Sequence, residues 1–528
     1  MRPSVMNGGP GRGTDRKDCA GMYVVVIGVF AIVLTISQPL YRLVTSPTGV
    51  TLAVVAATAV PVLAAALVTR AALRELDRYP ETPSRGQFTF HRGLALVQAL
   101  IGVGHAAVLL TTDWLPMCAR LPTVGDWVVV PSLLALSPFL ATIVLAWIAL
   151  FPADQAVRQI AVEAYLYRGR PVRPVWGLGQ YLQYNLRHQV LFVLVPMVLI
   201  LLASDVVLRY ERPIREFTGQ PYTPDVLIGL ATMVVAVIAP EILRHVWVTQ
   251  RLPDGPLRDR LLALCRALRL RCRDILVWRS GGMVVNAAVM GVVAPLRYVL
   301  ITDAMLEQME ETKIEAVFGH EAGHVKHRHI QCFLLLALIS GSLVTVFLMQ
   351  TRGLARTDYA RYQLLVTLVG LGLLIKWGLV FGWISRRFER QADVFAVRAL
   401  TRAGLPCTLP CALHSPGGNP GRPMAGALCA TAAHVLSHAL YEVALLNGIR
   451  PEARSWRHSS IASRSRFLLA LADDPRRARR FQRTVLAVQL VIVVAAIGSA
   501  LWAAHELNVW AVLGQRIIPG VGRRLWAY

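Results

Sequence analysis

Acidic side chains are scarce in this chain. Asp and Glu number 31 among 528 residues, against 55 Lys and Arg, and charged residues of both signs make up only 16%. A soluble domain carries about 25% charge, so a freely soluble globular protein is excluded for the chain as a whole. Cysteine is sparse too. The eight cysteines are scattered without paired spacing, which excludes a disulfide-stapled secreted fold. No internal repeat is visible, and solenoids and propellers drop out with it. Apolar residues are what the chain has in abundance: 55% are hydrophobic and the mean hydropathy is +0.50.

Those apolar residues gather into runs of the ~20 residues that a membrane-spanning helix needs. The runs cover residues 21–40, 50–69, 93–110, 127–151 and 190–208, a shorter one covers 226–240, and three more cover 332–349, 364–384 and 485–504. About nine spans are expected. The first follows a basic start (Arg2, Arg12, Arg16, Lys17) and lacks a small-residue cleavage site, so it reads as an uncleaved anchor. A net charge of +24 would suggest nucleic acid in a soluble protein, but here topology places the basic residues. Arg70, Arg74, Arg78, Arg85 and Arg92 fill one inter-span loop, and Arg158, Arg168, Arg170, Arg173 and Arg187 another. The positive-inside rule puts both loops in the cytoplasm, and with them the polar segments 241–331 and 385–484. The expected partners are membrane lipids and no nucleic acid. The expected location is a bacterial cell membrane crossed many times.

Three domains follow: a multi-span region (1–240), a polar domain (241–484) interrupted by a two-span hairpin (332–384), and a final span with its tail (485–528). In the polar domain, Leu257, Leu261, Leu264 and Leu268 recur at helical spacing among basic residues; lying on an anionic lipid surface and forming an ordinary surface helix fit equally. Two strand-like runs, 274–278 and 297–301, flank an apolar stretch at 283–293, and a small sheet fits. Thr312 and Glu315 make a capping box for a helix running to about His329. A loop-rich stretch, 404–423, reads as an insertion, and a helix from about residue 425 to 446 follows it.

The chemistry sits at residues 318–324, Phe-Gly-His-Glu-Ala-Gly-His. Two histidines four apart, His320 and His324, project from one face of a helix and reach one metal ion. Glu321 follows the first ligand at the position a general base requires. A catalytic zinc takes three protein ligands and keeps one position open. His327 cannot be the third, since seven residues of helix span about 10 Å, and His327 and His329 read as solvated basic residues. Glu389 is the better candidate. It lies 65 residues after His324, and the chain between them is two spans that leave one membrane face and return to it. Asp393, one turn further on, is placed to accept a hydrogen bond from a ligand imidazole and fix its tautomer.

With these residues in view, the sequence resembles the membrane zinc endopeptidase family that includes CAAX prenyl protease type I and the HtpX heat-shock protease. The resemblance rests on His320 to His324, the two-span spacing, and Ser385, Arg386, Glu389, Ala392 and Asp393, over about residues 241–470. The apolar runs make the chain mainly α with about nine membrane helices, more than the seven of the prenyl protease or the four of HtpX, and the resemblance implies a cytoplasm-facing α+β, zincin-like metalloprotease domain. It also implies one catalytic Zn2+ and hydrolysis of peptide bonds in membrane-associated, unfolded or lipidated polypeptides, with zinc activating water and Glu321 as general base. Asn286, Ala287 and Gly291 resemble the family's substrate-binding edge strand, which takes an extended polypeptide substrate. His458 and Arg464 resemble its C-terminal His and Arg pair, although Ser459 stands where the family has Pro. Each keeps a structural alternative: Asn286 as a turn cap, His458 as partner of a buried carbonyl, and Arg466 in place of Arg464.

Other polar clusters carry less. Cys407, Cys411 and His414, with Cys429 beyond, lack the tight two-residue gap of common structural zinc sites, and no second metal is expected. His434, His438 and Glu442 repeat helical spacing without a Glu after the first His. Lys376 inside a span faces the catalytic chamber or snorkels. The competing function is a non-catalytic membrane scaffold or chaperone that retains a zinc site; a second rival cuts inside the bilayer, which the polar flanks of the motif disfavour.

Overall fold

The computed structural model describes residues 26–29, 40–121, 127, 129–166, 175–219, 223–282, 284–351, 353–411, 413–414, 426–447, 449–453 and 458–506. The expected first span therefore lies outside the described residues, apart from 26–29 and Leu40. Among the described residues, eight helices are long and apolar enough to cross a membrane, one for each of the other eight expected runs. Five precede the polar domain: α1 (Pro47–Arg78), α2 (Ser84–Thr111), α3 (Val129–Leu166), α4 (Phe192–Arg209) and α5 (Thr223–Val246). A π-helical turn, Leu186–Leu191, leads into α4. Leu52, Leu63 and Leu67 of α1 stand bare; such a stripe is a liability in water but is accommodated by hydrocarbon.

The polar domain is built on a four-stranded sheet of order β1-β2-β4-β3. Its strands are β1 (Thr249–Arg251), β2 (Asp274–Trp278), β3 (Ala287–Met290) and β4 (Tyr298–Thr302). The strand-like runs become β2 and β4, which pair in parallel, while β3 comes from the stretch between them and pairs antiparallel to β4. Because β2 and β4 are central and covered on both faces, both read as continuous apolar runs. One face (Ile275, Val277, Val299, Ile301) forms the core with the domain's helices. The other (Leu276, Trp278, Tyr298, Leu300) meets Trp247, at the end of α5. There Trp278 Nε1 donates to His188 Nε2 at 2.8 Å, and the His188, Trp247 and Trp278 rings stack. The sheet thus docks on the membrane helices through aromatic faces.

The helices of this half are α6 (Pro256–Ala267), α7 (Asp303–Gln308), α8 (Glu311–Lys326), α9 (His329–Thr351), α10 (Tyr359–Lys376), α11 (Gly382–Arg402), α12 (Ala430–Leu446), α13 (Ile461–Asp473) and α14 (Pro475–Glu506). Helix α6 decides between the two readings open for it. Leu261, Leu264 and Leu268 are buried in the domain core, so its apolar face packs on protein, not on lipid. Helix α8 corrects an expectation. It starts at Glu311 with Glu310 as its cap, and Glu315 is bound to Arg260 at 2.6 Å, so the Thr312–Glu315 pair does not close a capping box. The helix stops at Lys326 because Arg328 adopts a left-handed conformation (φ 55°), which turns the chain into α9.

Helices α9 and α10 form the expected hairpin, and Lys376 is held within it by Ser340 Oγ at 2.6 Å. Helix α14 packs along α9, burying Cys332 and Leu336 against Val485 and Ile492. The hairpin returns the chain to α11, which lies against α8 at very short range. A Cβ on Gly323 would stand 2.9 Å from Ala392 Cα, and one on Gly319 would stand 3.3 Å from Ala396 Cα. The small residues of the two helices let their backbones approach and bring the side chains of α11 to the motif on α8.

Candidate metal centre

Three ligand-type atoms converge where α8 and α11 touch. His320 Nε2 and His324 Nε2 are 3.3 Å apart, and each lies 3.7 Å from a Glu389 carboxylate oxygen. Their hydrogen-bond partners fix which atoms carry protons. His320 Nδ1 donates to Asp393 Oδ1 at 2.9 Å, leaving Nε2 as a lone pair. For His324 the partner is His329. Gln391 Oε1 accepts from His329 Nε2 at 2.8 Å, so His329 Nδ1 is an acceptor, and it faces His324 Nδ1 at 2.9 Å. His324 therefore also turns an Nε2 lone pair inward. Two imidazole lone pairs and a carboxylate face one point with no proton between the imidazoles, an arrangement that a cation satisfies. Zinc with N and O ligands at about 2.0–2.2 Å needs such ligand atoms roughly 3.3–3.5 Å apart, and the set His320, His324 and Glu389 fits.

The surroundings hold these groups firmly. Arg464, on α13 and only 7% exposed, grips Asp393 with Nε at 2.9 Å and Nη2 at 2.6 Å, and its Nη1 lies 3.2 Å from Glu389 Oε2. Burial of one guanidinium between two carboxylates is tolerable because every charge has a bonded partner. His458, at the more open side, places Nδ1 3.0 Å from Glu389 Oε1. Burial lowers the His324 pKa to about 4, which keeps that ring neutral and able to bind a cation. Burial also pushes the Glu321 carboxyl up to about 7, with the Glu389 charge adding to it and the Val289 amide and Arg464 opposing.

Glu321 faces the sheet edge. Asn286 is bonded toward β4, its carbonyl accepting from Thr302 N and its N–H donating to Thr302 Oγ1, both at 3.0 Å. Alternate residues of β3 then turn outward, and the Val289 amide meets Glu321. Ala287 lies on this strand, largely buried. Gly291 sits just past it at φ 104°, where a Cβ would come within 2.2 Å of Leu296 O, so a tight turn requires glycine there.

The structure brings His320, Glu321, His324, Glu389, Asp393, His458 and Arg464 together beside the strand of Asn286 and Ala287, and Gly291 closes the turn just past that strand. It corrects the reading of His329 as solvated. His329 is fully buried, stacked on Phe388 at 4.1 Å, and bonded to His324. Gln391, its partner, carried no signal in the sequence. His327 is half-buried, edge-on to Phe395.

The eight apolar helices and the family match that follows support a membrane metallopeptidase. Residues 254–438 match the family model "Peptidase family M48". The matched residues contain His320, Glu321, His324, Glu389 and Asp393; His458 and Arg464 lie beyond them. Among solved structures the chain is similar to one titled "Crystal Structure of S. mikatae Ste24p", at 15% identity over 80% of this chain and 99% of that chain, with a TM-score of 0.42. No curated protein matches the chain by sequence.

Proposed function

We propose that the protein is a zinc endopeptidase that cleaves extended segments of membrane-associated, unfolded or lipidated polypeptides at the cytoplasmic face of the membrane. The observation that carries this reading is the convergence of His320 Nε2, His324 Nε2 and the Glu389 carboxylate beside a carboxyl, Glu321, that is not one of those ligands. His320, His324 and Glu389 hold one zinc ion, which when bound polarises a carbonyl and makes water nucleophilic near neutral pH.

The chain's own residues supply the rest. The outward edge of β3 around Ala287 and Val289 binds the substrate backbone as an added strand, Asn286 lying at its start. Glu321 takes the proton of the attacking water and delivers it to the leaving nitrogen. His458, beside Glu389 on the open side, stabilises the oxyanion as it develops. Arg464, with its nitrogens bonded to Asp393 and Glu389, positions those carboxylates. Asp393 and His329 set the tautomers of the two ligand imidazoles. The cytoplasmic placement rests on the Arg-rich loops between spans.

The test is a paired measurement of zinc content and of casein and lipopeptide cleavage in the wild type and Glu321→Gln. The expected result is a variant that keeps its zinc and loses cleavage of both substrates. A variant that cleaves as well as the wild type overturns the role of Glu321, and a wild type that binds no zinc overturns the reading as a whole.

A further inference from the structure

A second group of ligand-type side chains lies between α11 and α12. Cys407, Cys411, His414 and Cys429 each bring one ligand atom to within 4.8 Å of the others. Cys407 Sγ is 3.5 Å from Cys411 Sγ and 3.6 Å from Cys429 Sγ, and Cys411 Sγ is 3.6 Å from His414 Nδ1. Bonded sulfurs would be about 2.0 Å apart, so these pairs are not disulfides. They match the edges of a tetrahedron instead: Zn–S at about 2.3 Å and Zn–N at about 2.0–2.1 Å separate neighbouring ligand atoms by roughly 3.5–3.8 Å.

We infer that Cys407, Cys411, His414 and Cys429 form a structural zinc site of the Cys3His type, independent of the centre at His320. Four protein ligands leave no position open for water, so the site is closed and structural. Three thiolates and an imidazole in a tetrahedron suit zinc over hard cations such as magnesium or calcium.

The surroundings are built for thiolates. The backbone amides of Ala430, Leu413 and His414 and the Cys407 thiol bond to Cys411. Ala430 opens α12, so one of those donors belongs to the positive end of a 17-residue helix, and Cys429 is that helix's cap residue. Thr431 clamps the other strand of the loop. Its Oγ1 accepts from Thr408 N at 2.9 Å and Leu409 N at 3.0 Å and lies 3.7 Å from Cys407 Sγ. Cys407 and Cys411 pack on the domain core. A zinc ion here ties the end of α11, the helix carrying Glu389 and Asp393, to the start of α12.

The experiment uses the full-length chain in detergent and a His320→Ala/His324→Ala variant in which the first centre is removed. Elemental analysis is expected to find about two zinc ions per chain in the wild type and about one in the variant. When that variant is produced in cobalt medium, a thiolate-to-cobalt charge-transfer band is expected; the first centre has no thiol and cannot produce one. Adding Cys411→Ser and Cys429→Ser should abolish both the band and the remaining zinc. If those serine variants fail to fold, the cobalt spectrum of the histidine variant decides alone. A histidine variant with neither zinc nor the band overturns the inference, as does recovery of Cys407 in a disulfide with Cys411 or Cys429 after rapid alkylation. Failure here leaves the peptidase reading untouched, because the two measurements read different ligands.

Discussion

The two candidate metal clusters are built in opposite ways. His320, His324 and Glu389 come from two long helices joined by a membrane hairpin, and a shell of Asp393, Arg464, His329 and Gln391 fixes their protons and charges. Cys407, Cys411, His414 and Cys429 come from one short stretch of loop and a helix cap, and backbone amides are the main donors to Cys411. A site that does chemistry must hold its ligands in place while leaving one side open, which calls for side-chain partners anchored on rigid elements. A site that only closes a loop needs four ligands and little else. Four changes around the first cluster test how far that contrast holds.

Glu321→Gln gives the largest effect and sharpens the contrast most directly. The amide fills the same space and cannot act as a base, so cleavage should fall by ~10²–10⁴-fold, while zinc bound to both clusters stays constant. Arg464→Leu comes next. It leaves Asp393 and Glu389 as buried carboxylates without their cation, and such a change costs about 3–5 kcal/mol. The melting temperature in detergent should drop, and more in zinc-stripped protein than in zinc-loaded protein, because bound zinc replaces part of the lost positive charge at Glu389. A loss of equal size in both states would show that Arg464 stabilises the domain without bearing on the centre.

Gly323→Ala acts one step further out. The new methyl group would press on the backbone of Ala392 at about 3 Å, and forcing α8 from α11 should cost about 1–3 kcal/mol. Zinc affinity at the first cluster should weaken with it, since Glu389 rides on α11. Gly341→Ala on α9 is the control. Nothing lies within 4 Å of a Cβ there, so stability should hold or rise slightly.

How much of this was legible in the sequence follows the type of signal. Hydrophobic runs located the spans because length and polarity are local properties. His320, Glu321 and His324 were legible because one helix carries them, and Glu389 because two spans must return the chain to the face it left. The sheet was half legible: β2 and β4 are continuous apolar runs, but β1 is three residues of Thr-Gln-Arg with no pattern of its own. The cysteine cluster carries little in the sequence because its pairs lack a tight two-residue gap, and Cys429 follows His414 by 15 residues, a separation that only the fold closes. The apolar stripe on α6 could not say whether lipid or protein covers it; burial in the core decides for protein.

His329 is the instructive miss, and its substitution is the smallest of these effects. As one of several basic residues after the motif, it reads as solvated. The left-handed turn at Arg328 ends α8 and swings His329 back under His324, where Phe388 stacks on it and Gln391 sets its tautomer. His329→Leu keeps the ring's burial roughly filled but removes the acceptor for His324 Nδ1–H. That proton is then left unsatisfied, and the His324 ring is free to turn over. Loss of such an outer partner typically costs 10–100-fold in metal affinity, and the lower part of that range is expected here, since Asp393 still holds His320. Competition with a chromogenic chelator measures it: zinc at the first cluster should dissociate about tenfold more readily, with the cysteine-bound zinc unchanged. Equal weakening of both clusters would mean that His329 supports the fold as a whole, and the contrast between a scaffolded centre and a self-contained one would fail at this residue.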